Sequence, residues 1–325
     1  MFQPVPSCQT STIFLGRVAS YFRAGNHIPR AHRPTGSTIR YCEIDGRFGR
    51  DAPMIGLPRR RLGRTGLEVG VVGLGAMDTP NSPEATETVE AALELGINFI
   101  DTAREYAGSE FLLGQVVRVR GAAGVHFASK TFSQTIDGSQ RDIDRSLSTL
   151  GLERIDLYQL HDISTPQAWE RVHREDGALA GLQVARERGL VAHIGVSTHS
   201  MEVLERIVDS DAFDTVMVEY SAFYPQSARL IERAHARDIG VIVMRPLGGS
   251  GRTSEMRGGI EADREGILTP RNLLRYVLSN PAVSTAIPGA RYPSRVVENV
   301  ATASAFVPLS AEEREALEAA AAALY

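Results

Sequence analysis

Lys130, in the stretch "VHFASKTF", is the single lysine of a 325-residue chain that carries 35 Lys plus Arg. Arginine is a wide planar fork that stays protonated, whereas lysine is a compact charge whose pKa burial and neighbours can move. A position that keeps lysine while arginine serves elsewhere is one where the two cations are not equivalent. Three other residues belong in the same argument: Asp101 and Tyr106 in "DTAREY", and His161 in "LYQLHD". A phenol with an ordinary pKa of about 10 is a poor acid and a poor base near neutrality. A buried ammonium beside it stabilises the phenolate. That ammonium needs a carboxylate, because an unpaired buried charge is costly. An imidazole nearby can hydrogen-bond a substrate carbonyl and aim it at the tyrosine. The set suits protonation of a developing alkoxide while hydride arrives from elsewhere. Taken singly, each residue has an ordinary explanation: a helix-capping Asp, a packed Tyr, a core His, a surface Lys. Their convergence on one rim is what carries the reading.

The elements that would place them are legible as a repeat. Short apolar runs recur at 69–75, 98–102, 125–129, 155–161, 193–197, 215–220, 241–246 and 284–289, separated by helical patterns such as "SPEATETVEAALELG", with Ser82 as its cap and Gly96 as its terminator. Fully apolar strands alternating with helices define parallel βα units. Eight of them predict an α/β fold, a closed (β/α)₈ TIM barrel, with "RRRLGRTGLEV" as a hairpin ahead of the first strand. Active sites of such barrels lie at the C-terminal ends of the strands. Asp101, Lys130 and His161 fall at the ends of the second, third and fourth.

Composition narrows the classes. A net charge of −4 argues against a nucleic-acid surface, and no apolar run approaches the roughly 20 residues of a membrane span. The two cysteines, Cys8 and Cys42, leave the barrel without disulfides or a cysteine metal site, as expected of a cytoplasmic protein; no metal site is expected. Residues 1–42 contain five Arg and no Asp or Glu. Residues 1–54 are therefore expected to be a disordered tail, a transit-like segment or a mis-assigned start, with residues 55–325 as the barrel. "GVVGLGAMD" fails as a dinucleotide fingerprint, because the sixth position counted from Gly73 is Asp78.

Over residues 58–305 the sequence resembles the aldo-keto reductase family. The carrying pieces are "GINFIDTAREYAGSE", "FASKT", "IDLYQLHD", "HIGVSTH", "VMVEYSAF", "VIVMRPLGGSG" and "VLSNPAVSTAIPGARYPSRVVEN". The resemblance implies a (β/α)₈ barrel and a nicotinamide-dependent oxidoreductase of aldehydes and ketones, or of the matching alcohols and sugars. It makes Tyr106 the general acid, Lys130 the group that lowers its pKa, Asp101 the partner of Lys130 and His161 the carbonyl-positioning residue. It implies NADP(H), with NAD(H) as the alternative coenzyme, held by Gly75, Ala76, Met77, Ser197, Thr198, Met217, Met244, Arg245, Pro246, Leu247, Gly248, Arg291, Arg295, Glu298 and Asn299. Here the chain departs from the family pattern. Thr198 and Met217 stand where an Asn and a Gln hold the carboxamide, and Met244 replaces an aromatic that stacks on the nicotinamide. Gly289 and Ala290 replace a lysine and a serine near the adenine end. The branch is similar to one whose members sometimes carry a C-terminal iron–sulfur module, for which this chain has no cysteines.

Trp169 and His173 are candidates for the substrate pocket, or an exposed loop aromatic and a solvated histidine. The C-terminal loop that shapes substrate choice in relatives is short or missing, which implies an open pocket. Two rival functions are a Schiff-base lyase using Lys130 and a non-catalytic nicotinamide-binding regulatory subunit. The partner of the protein is a small carbonyl or alcohol substrate, with no nucleic acid and no membrane; the sequence leaves the oligomeric state open.

Overall fold

The computed structural model describes residues 56–248 and 266–324, so the expectation for residues 1–54 lies outside the described residues. Two strands, β1 (Arg59–Arg61) and β2 (Glu68–Gly70), pair antiparallel as the anticipated hairpin. Eight parallel strands follow in unbroken sequential order: β3 (Leu74–Gly75), β4 (Phe99–Asp101), β5 (His126–Thr131), β6 (Ile155–Leu160), β7 (Val191–Thr198), β8 (Thr215–Glu219), β9 (Gly240–Met244) and β10 (Thr285–Ala286). Single bridges, Val72 to Ala286 and Gly75 to Gly289, join the last strand to the first. The ring is thus closed, as eight βα units require.

Around it lie α1 (Ala85–Glu94), α2 (Ser109–Arg120), α3 (Ile136–Leu150), α4 (Pro166–Val172), α5 (Ala178–Glu187), α6 (Met201–Asp209), α7 (Ala228–Ala236), α8 (Pro270–Leu278), α9 (Pro293–Ser304) and α10 (Ala311–Ala322). Thr135, Thr165, Ser200, Thr269 and Ser310 each cap a helix by accepting an amide from its first turn. Ser82 does not cap α1, whose cap position is Glu84; it closes a one-turn 3₁₀ helix, Thr79–Asn81. Gly96 does follow the helix end, with φ 87°.

The run 69–75 is divided rather than one strand. Asn98 accepts the Gly70 amide at 2.7 Å and donates to the Glu68 carbonyl at 2.8 Å, which holds this backbone in the hairpin. Leu62 and Val69 of the hairpin join Phe99, Ala128, Leu157, Met217, Ile242 and Ile287 in one buried cluster, so the hairpin floors the barrel interior. Its approach is close: a Cβ on Gly63, which has φ 50°, would lie 2.1 Å from the Gly240 nitrogen. Arg60 fastens the floor by donating to the carbonyls of Leu278, Asn280 and Val283, past the C-terminal end of α8. Opposite this floor, the strand ends are open for chemistry.

Candidate active site

Asp101 is the last residue of β4, flanked in register by Gly75 of β3 and Ala128 of β5. Lys130 lies one residue before the end of β5, opposite Gln159 of β6, and the His161 amide donates to the Thr131 carbonyl at 2.9 Å. Three strand ends therefore deliver three of the four residues to one rim. Tyr106 has no strand to hold it, so the loop after β4 must. There Ser109 donates to the Ala76 carbonyl and bonds Thr102, both at 2.7 Å. Buried Glu110 binds Arg104 on one oxygen and Ser129 on the other, at 2.7 Å for the latter. The loop is pinned on both sides of the tyrosine. The sequence reading did not single out Glu110, Ser109 or Thr102; "SE" three residues after Tyr106 was the available signal.

The four predicted residues do meet. Lys130 is fully buried, and its Nζ donates to Asp101 Oδ2 at 2.6 Å, to the Thr102 carbonyl at 2.8 Å and to Tyr106 Oη at 3.3 Å. Three acceptors match the three N–H donors of an ammonium. Gln159 donates to the other Asp101 oxygen at 3.1 Å; this orienting residue also escaped the sequence reading. The His161 ring stands edge-on to Tyr106 at 5.5 Å and stacks on Phe132 at 4.0 Å. Its Nδ1 lies 3.2 Å from Glu105 Oε2, a contact that spacing alone could not reveal.

Burial alone would push the Lys130 ammonium down, but Asp101 and Tyr106 together outweigh it and the pKa lies above the ordinary lysine value. Burial pushes the Asp101 carboxyl up against the pull of Lys130. The hydrogen bonding around Nζ is satisfied by the ammonium–carboxylate form. For Tyr106 the pull of Lys130 acts in the expected direction, against burial and the nearby carboxylates. Burial raises the phenol, Lys130 pulls it down, and burial prevails, so the net shift is upward. Lys130 limits the rise; it does not bring the phenol below its ordinary value.

Gly75 and Ala76 border Asp101, the Ala76 amide donating to the Asp101 carbonyl at 2.9 Å, and Met77 beside them is exposed. Ser197 sits in register with Met217, and Met244 with Glu219. Ser197 Oγ accepts the Asp162 amide at 2.8 Å, and Thr198 Oγ1 accepts the Ser200 amide at 3.1 Å. Met217 is buried among the apolar interior residues, with Met244 packed against them. Of the polar clamp implied by the family pattern, Ser197 and Thr198 keep hydroxyls and the Gln position alone is apolar, as Met217. Arg245, in the left-handed region with φ 53°, binds Glu219 at 3.2 Å, and the turn Arg245–Gly248 closes through the Gly248 amide. Pro246 is buried within that turn and Leu247 packs on the core.

At the far side, α9 begins at Pro293 with no side-chain cap on its first amides. Arg291 pairs with Asp78 at 3.6 Å, and Arg295 with Glu298 at 2.7 Å, both exposed; Asn299 is half-buried on the same helix. A Cβ on Gly289 would meet nothing nearer than Gly75 O at 3.9 Å. An uncapped helix start flanked by two guanidinium groups, beside an open glycine, fits the phosphate of a nucleotide coenzyme. Trp169 and His173 do not line the rim. They pack on each other at 4.0 Å and against buried Phe213, in the outer helical layer. A groove of about 540 Å³ along α3, lined by Arg104, Arg141 and Arg145 among others, touches none of the four rim residues.

Residues 69–322 match the Aldo/keto reductase family, and the chain belongs to it. It is 24% identical over 299 residues to an uncharacterised oxidoreductase, YqkF, of Bacillus subtilis, covering 80% of this chain and 95% of that protein. It is 25% identical over 291 residues to the L-galactose dehydrogenase of Arabidopsis thaliana, covering 78% and 90%. The crystal structure of PA4992, a putative aldo-keto reductase of Pseudomonas aeruginosa, superposes with a TM-score of 0.64 at 28% identity, covering 77% and 96%. The holo form of an aldo-keto reductase of Bacillus halodurans, at 23% identity and a TM-score of 0.68, shares the fold over 81% and 96%.

Proposed function

We propose that this protein reduces aldehydes or ketones with NADPH, NADH being the weaker coenzyme, and that Tyr106 is the general acid. The observation that carries the reading is the contact of a fully buried, triply bonded Lys130 with the Tyr106 hydroxyl. Lys130 donates to Oη, so the hydroxyl proton of Tyr106 points elsewhere, toward a carbonyl oxygen. A bound nicotinamide coenzyme supplies the hydride. As negative charge develops on the carbonyl oxygen, Tyr106 transfers its proton there and becomes a phenolate. The ammonium beside it stabilises that charge in a site with little water. Asp101 and Gln159 keep Lys130 in place. Because burial holds the phenol above its ordinary pKa, Tyr106 is protonated at neutral pH, the form that reduction needs. Ser197, Thr198, Arg245 and the Arg291–Arg295 segment are the groups that would hold the coenzyme, with the two arginines recognising a 2′-phosphate. A Schiff base on Lys130 would need a neutral amine, and the Asp101 partnership opposes one. No helix among the described residues is long and apolar enough to cross a membrane; a cytoplasmic site of action is part of the proposal.

The test is a panel of aldehydes, ketones and sugars with NADPH and NADH followed by absorbance, for wild type and Tyr106→Phe. We expect reduction by the wild type and a loss of about 10²-fold or more in the variant, the contribution of a positioned general acid, with coenzyme binding kept. Near-normal turnover of Tyr106→Phe would reject Tyr106 as the acid.

A further inference from the structure

Glu105 sits one residue before Tyr106 and binds two things at once. Its Oε1 accepts the Phe132 amide at 3.0 Å, and its Oε2 lies 3.2 Å from His161 Nδ1. The Phe132 ring in turn stacks on His161, nearly parallel at 5°. Stacking fixes the plane of the imidazole but is indifferent to turning the ring over by 180°. Only the Glu105 contact distinguishes one nitrogen from the other.

The chemistry of the pair then follows from counting protons. An ionised carboxylate accepts hydrogen bonds and cannot donate them. Nδ1 must therefore carry a proton when Glu105 is charged. In neutral His161 that leaves Nε2 bare, able to accept from an alcohol but unable to donate to a carbonyl. Only the imidazolium offers an Nε2 proton while keeping the Glu105 bond. Glu105 is suited to hold that charge. Burial by itself raises its carboxyl, but the hydrogen bonds from His161, the Phe132 amide and its own backbone amide outweigh this and lower it. The other ionisable groups around the imidazole are Tyr106 on the same loop and the Asp101–Lys130 pair on β4 and β5. That pair is a compensated ion pair. Asp162, next in the chain, is engaged by Ser164. On β7 the neighbours Ser197 and Thr198 carry no charge. Among the described residues, Glu105 is thus the one carboxylate in direct contact with the ring.

We propose that Glu105 is a positioning residue that fixes which imidazole nitrogen of His161 faces the substrate, holding a protonated Nδ1 toward its own carboxylate and presenting Nε2 to the substrate oxygen. The inference rests on the reductase reading above and adds to it a residue that acts through His161.

Two measurements separate the pairing from that reading. In ¹⁵N-labelled protein, the imidazole nitrogens of His161, assigned by their loss in His161→Asn, are followed against pH in wild type and Glu105→Gln. In the wild type the neutral ring should carry its proton on Nδ1. In Glu105→Gln the amide can donate to Nδ1, and the neutral ring should shift toward the Nε2-protonated tautomer. In parallel, kcat/KM for NADPH-dependent reduction of 4-nitrobenzaldehyde, which has no titrating group, is measured against pH. Glu105→Gln should run about tenfold lower, a modest share of what one oxyanion-directed donor contributes. Glu105→Asp keeps the charge one methylene shorter and should lie between the two, which preserves the test if the glutamine variant folds poorly. Identical His161 titrations in wild type and both variants, or an Nε2-protonated neutral ring in the wild type, would overturn the pairing. Absence of aldehyde reduction by the wild type counts against the reductase reading, and the nitrogen titration still decides the role of Glu105.

Discussion

The two ends of the barrel use the same side-chain types for different purposes. At the N-terminal floor, carboxylates bind backbone, with imidazole and guanidinium groups beside them. Asp156 accepts the Phe127 amide and lies 3.6 Å from His126; Asp214 accepts the Ile194 amide and lies near Arg186 and His193. These groups are part-exposed, and the two carboxylates each satisfy a strand amide. At the C-terminal rim, buried Lys130 binds buried Asp101 and half-buried Tyr106, with a single backbone carbonyl among the partners of Nζ. Ionisable groups that satisfy backbone hold a fold together. Groups buried on each other at a strand end are held at a cost that stability alone does not explain, and such places are where function is sought.

This contrast predicts that rim substitutions remove activity with the fold intact, and that floor substitutions do the reverse. The largest effect falls on Lys130→Arg. The guanidinium keeps the charge but cannot fit three acceptors spaced for a compact ammonium, and it cannot place a point charge on Tyr106 Oη. Carbonyl reduction should fall by about 10²-fold or more, nearly as far as in Lys130→Met. Steady-state rates beside thermal melts check this. Full activity in Lys130→Arg would remove the reason for the chain's single lysine and erase the distinction between rim and floor.

How far the sequence went depends on what kind of order each feature has. The strands were legible because each is a continuous apolar run, and the tetrad because strand ends are landmarks that place Asp101, Lys130 and His161 together. Tyr106 followed from the family motif around it. Side chains that act across space without a landmark escaped: Glu105 against His161, Gln159 behind Asp101, Asn98 diverting the first predicted strand into the hairpin. Each is a polar residue whose partner is 28 to 58 positions away, so no local pattern marks it. The upward net shift of Tyr106 was illegible for a related reason. It is set by how deeply the phenol is buried, whereas residue type alone suggested only the pull of Lys130. For Trp169 and His173 two readings stayed open because sequence position said nothing about which layer they face.

A smaller effect tests the floor. Arg60→Ala removes a charged donor set from three carbonyls past the end of α8, and leaves those carbonyls to water. The expected loss is about 2 kcal/mol, the range for charge-assisted bonds at a helix C-terminus. Denaturant unfolding reads it directly, provided the transition is two-state. Turnover per folded molecule should be unchanged. A drop in turnover comparable to that of Lys130→Arg would mean that the floor shapes the site, and the division of labour would fail.

The smallest effect is a pH dependence at the floor. Burial lowers the pKa of His193 from its ordinary value, more than Asp214 raises it. A base whose pKa is lower in the folded chain binds fewer protons there than when unfolded. Stability at this residue is therefore present above the unfolded value, near 6.5, and is lost as pH falls below it toward the depressed folded value. His193→Gln removes the titrating group and should flatten that part of the stability curve. Between about pH 7 and pH 5 the wild type should lose roughly 1–2 °C of melting temperature more than the variant, the scale of a fraction of a kcal/mol in a chain of this size. The attraction of Asp214 sets the sign of the result. If Asp214 outweighed burial, the folded imidazole would bind its proton more tightly, and the wild type would gain stability relative to the variant as pH falls. Melting curves for both proteins across that interval separate the two cases, and a relative gain would mean that this histidine is held by its charge partner, as rim groups are.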